Sequence, residues 1–551
     1  MASYVEQLDA QLAAFFASWN IYTTVIAVGL AGLVLYPLIF PDEPDTHPLL
    51  LARQARPAPV RQPKESAVYR SMEASHGYPL RSGLNVQDPG APRWAAGRDG
   101  DIRDIWRSAV AGGQNGERGF IMTVFGKEAA KEHDLVEISK EINAIGQHLQ
   151  KSGTQVAIYL PNCLEYLSTV FASAFYGLSV VLLPYNQPHD VIVELIRKVG
   201  ADAVVAAAGS LPLESLKQSN INNVTWVVEK SSRQMDWTAG QTDAKLSVWH
   251  ETVAESSASS ELPANGDVKP GTVTQVWMTK QGIPGKITEF TQGNIVAATA
   301  SLGIAIPQRQ RLTSADLVLP IDSFSQVYVL CQTLAALYSH ANLAINSVAG
   351  PGVDLKLASR TVSPTVVIAS AETLSAMHER ETSAITNAFQ RLALGSQTQA
   401  LSAGRMPIDS LLFKLLGPAG SGSATAPGQL RLILVAERAG TDAPAISSSM
   451  LSDLRVFTKA RICYALTAPD VAGAVAQTNL YDYRADTTPG HSHFGVPLAS
   501  CEVKLISQND ADVDGSTPKG EIVVSGPSVA GGEARLGVQG RVREDCTIAY
   551  A

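Results

Sequence analysis

Only five cysteines occur in 551 residues, Cys163, Cys331, Cys463, Cys501 and Cys546, and no pair of them has metal-ligand spacing. That excludes a disulfide-stapled scaffold and a thiolate metal site, and an odd, dispersed set fits reduced thiols in the cytosol. Of ten histidines only His491 and His493 are close neighbours, with no cysteine or third histidine beside them, so no metal site is expected. Excess positive charge is also missing: 43 Lys and Arg against 51 Asp and Glu give a net charge of −8, which argues against nucleic acid as a partner. No internal repeat is present. Residues 1–40 hold no lysine or arginine, and Ile21–Phe40 holds no charge of either sign.

That uncharged run, I-Y-T-T-V-I-A-V-G-L-A-G-L-V-L-Y-P-L-I-F, predicts a transmembrane helix. At about 1.5 Å rise per residue it reaches about 30 Å, the thickness of the hydrocarbon core. Trp19, Tyr22 and Tyr36 lie near its ends, where interfacial aromatics sit. A cleaved signal peptide would want a basic leader, a shorter core and a small-residue cleavage site, and a buried core helix would want neighbours to pack against. Arg53, Arg56, Arg61, Lys64 and Arg70 follow the run. The positive-inside rule then puts residues 1–20 on the non-cytosolic side and the rest in the cytosol, on the endoplasmic reticulum, a lipid droplet or a peroxisome.

Farther along, the pattern alternates helix and apolar strand. Leu135–Leu149 has helical period, Val156–Leu160 reads as a strand, His189–Val199 as a helix and Ala203–Ala208 as a buried strand. Such βα alternation predicts mostly parallel sheets covered by helices. Residues 41–113 are Pro- and Arg-rich and read as a tether; Gly417–Gly428 reads as a flexible loop. Residues from about Asp482 read as short strands with turns.

Trp277–Asn294, W-M-T-K-Q-G-I-P-G-K-I-T-E-F-T-Q-G-N, carries the most chemistry. A β-rich run over Val273–Thr279 leads into a short loop with Gly282, Pro284, Gly285 and two lysines, Lys280 and Lys286. Strand, glycine-bearing loop and basic residue is the arrangement that cradles a polyphosphate with backbone N–H groups and a cation.

The segment resembles the ATP-phosphate loop of the adenylate-forming superfamily, in particular long-chain acyl-CoA synthetases, and E-S-A-V-Y-R-S at Glu65–Ser71 resembles the N-terminal extensions of the fungal ones. Aligned back from Asn294, Gly293 and Thr291 fit, Gln292 replaces a histidine, Lys286 falls on the family lysine and Thr279 on the first hydroxyl. The glycine- and threonine-rich core becomes Lys280, Gln281, Gly282 and Ile283. Further matches follow in order: V-A-I-Y-L-P-N at Val156–Asn162; Leu319–Ile321, with Ser323 where the family has histidine; and Leu430–Val435, with Ala436 and Glu437 replacing the Gly-Gly of the adenine floor. After them come I-C-Y-A-L-T at Ile462–Thr467, Phe494–Leu498, and G-E-I-V-V-S-G-P-S-V at Gly520–Val529.

The resemblance implies an α/β fold of two mostly parallel sheets plus a small β-barrel. It divides the chain into a tether (41–113), AMP-binding-like α/β subdomains (114–481) and a barrel-like subdomain (482–551), with the family's C-terminal lid expected to be absent. It also implies an ATP/AMP site at Thr279, Lys280, Lys286, Tyr464 and Thr467. The family's magnesium glutamate is replaced by Ala468, so Mg²⁺ is not expected to bind normally; a methyl group is no oxygen ligand. Asp470 is nearby at the wrong spacing, and Asp545 is offered for a ribose contact only by proximity. No residue is named as catalytic. Each lost charge-stabilising group is worth about 2–4 kcal/mol, and two together imply on the order of 10³-fold in rate.

Two readings stay open. One is a membrane-anchored pseudoenzyme that binds lipid or nucleotide and regulates or scaffolds an active acyl-CoA synthetase. The other is an active, divergent long-chain fatty-acid–CoA ligase.

Overall fold

The βα alternation forms as the periodicity predicts. In the computed structural model Leu135–Gln150 is a helix capped by Asp134, His189–Val199 is a helix, and Gln155–Tyr159, Ser179–Leu182 and Ala203–Ala207 are parallel strands. The structure describes residues 17, 19–39, 43–88, 90–92, 94–113, 116–124, 130–212, 216, 221–228, 245–264, 266, 268–359, 361–407, 430–485 and 490–551. The loop expected at Gly417–Gly428 lies outside them. The chain divides into two units, Met1–His47 and Pro48–Ala551.

Among the described residues the second unit holds three sheets. A seven-stranded sheet runs Ile283–Phe290, Val273–Lys280, Ser179–Leu182, Gln155–Tyr159, Ala203–Ala207, Asn223–Val227 and Lys245–Val248; all its pairs are parallel except the first. A nine-stranded sheet has a parallel centre that includes Arg461–Thr467, Leu432–Arg438, Val366–Ser370, Leu317–Pro320 and Asn342–Asn346. Its strands are apolar on both faces, as sheets covered on both sides must be. An antiparallel six-stranded sheet contains Glu502–Ile506, Lys519–Ser525, Glu533–Val542 and Ile548–Tyr550.

Segment 41–113, expected as a tether, is part of these layers from Pro48 onward. Ala55–Pro57 and Tyr69–Ser71 extend the six-stranded sheet, and the helix Ile102–Ala111 buries Ile105 and Trp106 in the main core. Its Pro and Arg content hid short strands that need only three residues of pairing each.

The first unit contains the helix Ile21–Ile39. Among the described residues no helix is long and apolar enough to cross a membrane, so the expected span over 21–40 is not supported. Asn20 Oδ1 accepts from the Thr23 N–H at 3.0 Å, and the Trp19 indole donates to Thr24 Oγ1 at 2.7 Å. Thr23 and Thr24 thus belong to a polar cap.

Helices apolar all round belong inside. Val327–Tyr338 and Leu164–Tyr176 bury nearly every side chain, and Gln292–Ala305 most of them. Polar side chains join the sheets where these helices begin. Asn162, buried beyond the strand Gln155–Tyr159, donates to the Asp322 carbonyl at 2.8 Å and accepts from the Phe324 N–H at 2.9 Å, beyond a strand of the nine-stranded sheet. Gln275 Oε1 accepts from the Val327 N–H at 2.9 Å. Asn294 closes a capping box with Thr291 and donates to the Pro527 carbonyl at 2.7 Å, which ties the helix to the six-stranded sheet.

A second buried network surrounds Asp482. Its carboxylate takes hydrogen bonds from Arg484 (2.6 and 2.8 Å) and from Gln54 (2.8 Å), with His493 3.6 Å away. Burial alone would raise the Asp482 carboxyl, but the Arg484 hydrogen bonds and the neighbouring His493 and Arg484 charges outweigh it and hold it at about 2. Burial lowers the His493 imidazole below its usual range.

Two outcomes follow. Asn162→Ala should lower the unfolding free energy by about 2–4 kcal/mol, because two buried backbone groups lose their partner; urea unfolding measures it. Both pKa depressions make stability fall with acid. The His493 contribution is lost as pH drops below its ordinary range near 6.5, and the Asp482 contribution as pH drops from about 4 toward 2. Asp482→Asn should remove the lower step and cost about 3 kcal/mol at neutral pH; an unchanged acid limb in pH-dependent thermal unfolding contradicts this.

Candidate active site

The segment expected as a phosphate loop is a β-hairpin. Val273–Lys280 and Ile283–Phe290 pair antiparallel, Lys280 opposite Ile283, and only Gln281 and Gly282 form the turn. Gly282 makes the turn possible at φ +77°, a conformation that L side chains rarely adopt. Its N–H donates to Gln187 Oε1 at 2.8 Å. Pro284 is tolerated because its strand is at the sheet edge. The pairing is irregular around Met278, and the Gly282 N–H at the turn is taken by Gln187.

Both lysines reach across to acidic residues that follow strands of the nine-stranded sheet. Lys286 Nζ lies 2.7 Å from Asp470 Oδ2, and Thr288 Oγ1 donates to the other oxygen at 3.2 Å. Lys280 pairs with Asp442. Asp470 therefore serves as the hairpin's anchor rather than as a replacement metal ligand. Thr279 Oγ1 donates to the Ile283 carbonyl at 3.2 Å, within the hairpin.

Tyr464 and Thr467 lie on the strand Arg461–Thr467, beside Leu432–Arg438. Tyr464 is fully buried, its hydroxyl donating to Glu437 Oε2 at 2.9 Å and its ring 5.2 Å from that of Phe494. Burial, reinforced by the Glu437 charge, pushes its phenol far above the ordinary range. Thr467 Oγ1 donates to the Glu437 carbonyl at 2.7 Å. His491 Nε2 is 3.4 Å from the second Glu437 oxygen. Glu437 is thus the hub of this layer, a role hidden in a sequence where its partners lie 27 to 54 positions away.

Three of the five expected residues are split between two spaces. Thr279 and Lys280 line a cavity of 620 Å³ at the carboxyl ends of strands from both sheets, the place where α/β sheets bind ligands. Asp322, Glu372, Arg438 and Asp442 also line it. Arg438 Nη2 is 2.6 Å from Asp322 Oδ2 and its Nη1 is 4.0 Å from Glu372. Burial would lower the Arg438 guanidinium, but these carboxylates outweigh it and raise it. Thr467 lines a separate void of only 10 Å³ behind that ion pair, walled by Trp277, Tyr328, Ala436 and Ala468. Such a space holds a single water at most. Neither Lys286 nor Tyr464 lines either one. The Asp322–Arg438 pair escaped sequence reasoning because its members are 116 residues apart.

The groups present do not fit magnesium triphosphate in this arrangement. Both loop cations are held by carboxylates, Tyr464 offers no face, and Ala468 is 1% exposed within the wall. Asp545, offered for a sugar contact, is a structural residue: Oδ1 accepts from Thr547 N–H and Oγ1, and Oδ2 from Arg484 at 2.7 Å. It is 8% exposed.

Tyr464→Phe should lower stability by about 1–3 kcal/mol, since a buried Glu437 oxygen loses its donor. Ala468→Glu should cost more than about 2 kcal/mol for forcing a carboxylate into that wall, and added Mg²⁺ should not restore it. Thermal unfolding with and without MgCl₂ checks both, and stabilisation of Ala468→Glu by Mg²⁺ would contradict the second.

Comparison with known proteins fits this geometry. Residues 125–271 match the family model described as AMP-binding enzyme. No curated protein matches in sequence. Among solved structures, the anthranilate CoA ligase AuaEII in complex with anthranoyl-AMP is similar at TM-score 0.59 and 14% identity, over 82% of this chain and 77% of that one. A long-chain-fatty-acid-CoA ligase, FadD1 from Archaeoglobus fulgidus, gives 0.57 and 13%, over 86% of each chain. A benzoate CoA ligase from Burkholderia xenovorans LB400 gives 0.57 and 12%, over 82% and 80%. At these identities the structural likeness shows the fold alone, the one these CoA ligases share, and the similarity to the AMP-binding enzyme family is confined to residues 125–271.

Proposed function

We propose that this protein is an acyl-CoA-ligase-like pseudoenzyme that has given up efficient adenylation and acts in fatty-acid metabolism as a scaffold or regulator of an active relative. One observation carries the reading: each loop lysine is neutralised by a carboxylate contributed from the other sheet. Phosphoryl chemistry depends on uncompensated positive charge aimed at the transferring phosphate. Here a polyphosphate would first have to displace Asp442 and Asp470 and open a paired hairpin. The filled space behind Asp322 and Arg438 supports the same reading, since it leaves an acyl chain no room there. The 620 Å³ cavity remains large enough for a small ligand, and its partners under this reading are an acyl lipid or nucleotide and the active relative. Membrane attachment is not part of the proposal, because the helix on which it rested does not support it.

The active-ligase reading has one observation in its favour. The two lysine side chains are 57% and 58% exposed, so their pairs are of the weak, solvent-screened kind that a ligand could open.

Fatty-acid-dependent ATP–pyrophosphate exchange by the full chain, run beside an active long-chain ligase, separates the two. The expected outcome is no exchange above background and no change with Asp470→Asn. Exchange that is abolished by Lys286→Ala would establish a rewritten but working site and overturn the proposal.

A further inference from the structure

The 620 Å³ cavity beside the hairpin carries more negative than positive charge. Asp322, Glu372 and Asp442 line it against Lys280 and Arg438, which leaves one negative charge in excess. Lys280 is spent on Asp442. Arg438 faces two carboxylates at once: its Nη2 is 2.6 Å from Asp322 Oδ2, and its Nη1 is 4.0 Å from Glu372 Oε1. One guanidinium cannot neutralise both, and its close contact goes to Asp322, which also accepts from the Ser323 N–H at 2.8 Å. Glu372 is the carboxylate left over. Among the described residues its side chain accepts no hydrogen bond, and it is 29% exposed.

A positive charge that suits this space is organic. Among the described residues no three carboxylate, imidazole or thiolate groups come together to hold a metal ion. The rest of the wall fits a small amphipathic molecule. Met278, Pro351 and Val353 are apolar, while the Gln326 amide and the Tyr185 hydroxyl have no hydrogen-bond partner among the described residues. An apolar lining with a few convergent polar groups is the usual form of a small-molecule site. We propose that this cavity binds a small organic molecule carrying an ammonium group, with Glu372 as the partner of the ammonium and Gln326 and Tyr185 hydrogen-bonding to its neutral part. A fatty-acid carboxylate or a polyphosphate would instead bring further negative charge against Glu372. Such binding rests on the cavity being a ligand space, as in the reading above, and not on the loss of catalysis; an acyl lipid or nucleotide that enters would have to carry the ammonium itself.

The test is calorimetry on the full chain at neutral pH, without ATP or fatty acid, using one ring system in each charge state: tryptamine as cation, tryptophol as neutral isostere and indole-3-acetate as anion. Saturable tryptamine binding is expected, about tenfold tighter than tryptophol or more and weakened by added salt, with no binding of indole-3-acetate. Glu372→Gln keeps the shape and removes the charge. It should bring tryptamine down to the affinity of tryptophol and leave tryptophol unchanged, a loss of discrimination that a merely structural role would not produce. Ala443→Trp fills the cavity from the loop after Leu432–Arg438 and should weaken both ligands, which keeps the proposal testable if Glu372→Gln fails to fold. Glu379→Gln, at an exposed acid of the same helix that does not line the cavity, should bind as the parent does. Equal affinity for tryptamine and tryptophol, tighter binding of indole-3-acetate, tryptamine binding indifferent to Glu372→Gln, or no tryptamine binding would overturn the proposal. ATP–pyrophosphate exchange is read separately. Exchange alongside charge-selective amine binding overturns only the loss of adenylation, and absence of both overturns only this site.

Discussion

The ion pair between Lys286 and Asp470, 2.7 Å long, sets the character of the site. It removes the cation that the hairpin could offer a phosphate and the carboxylate that the following strand could offer a metal. It also joins the edge of the seven-stranded sheet to the nine-stranded sheet. With Lys280 held by Asp442 on the same hairpin, the two sheets are bridged beside the 620 Å³ cavity that both residues line. Pairs with exposed lysines are individually weak. Their significance is positional, because the hairpin is also closed by its own ladder and by Gln187 on Gly282.

Around this bridge the adenylate-forming architecture is kept while its ligand-facing positions are used for packing. Glu437 shows this most plainly. A carboxylate placed in a nearly closed layer needs donors, and the Tyr464 hydroxyl supplies one at 2.9 Å, with His491 Nε2 3.4 Å from the other oxygen. Once recruited, Tyr464 is fully buried and has no free face. Ala468 completes the same wall. Side chains at these positions thus meet one another within the layer.

The polar residues that hold the layers together are a separate set. Asn162, Gln275 and Asn294 each spend side-chain hydrogen bonds on backbone groups of a different segment, at the starts of helices or the ends of strands where such groups lack partners. Two of them, Asn162 and Asn294, lie in the motifs that carry the family resemblance. In those motifs the two asparagines join sheets and cap a helix.

Apolar period and turn residues by themselves determined the α/β class, the helix His189–Val199 and the strands around Val156 and Ala203, since burial dictates period and period is written locally. The family resemblance was likewise legible in residues that pack. The hairpin was not, because Gly282 and Pro284 suit a loop and an edge strand equally, and only pairing against Val273–Lys280 chose between them. Nor was the place of residues 48–111, whose short strands exist only by virtue of a sheet assembled from residues more than four hundred positions away. The helix at Ile21–Ile39 was predicted as a helix, but its polar first turn became visible only once Asn20 and Thr23 were seen to cap it. The charge state of the site was decided last and by tertiary structure alone. Lysines, aspartates and glutamates can be counted in a sequence, but whether each cation faces a ligand or a carboxylate depends on which strands the fold sets side by side.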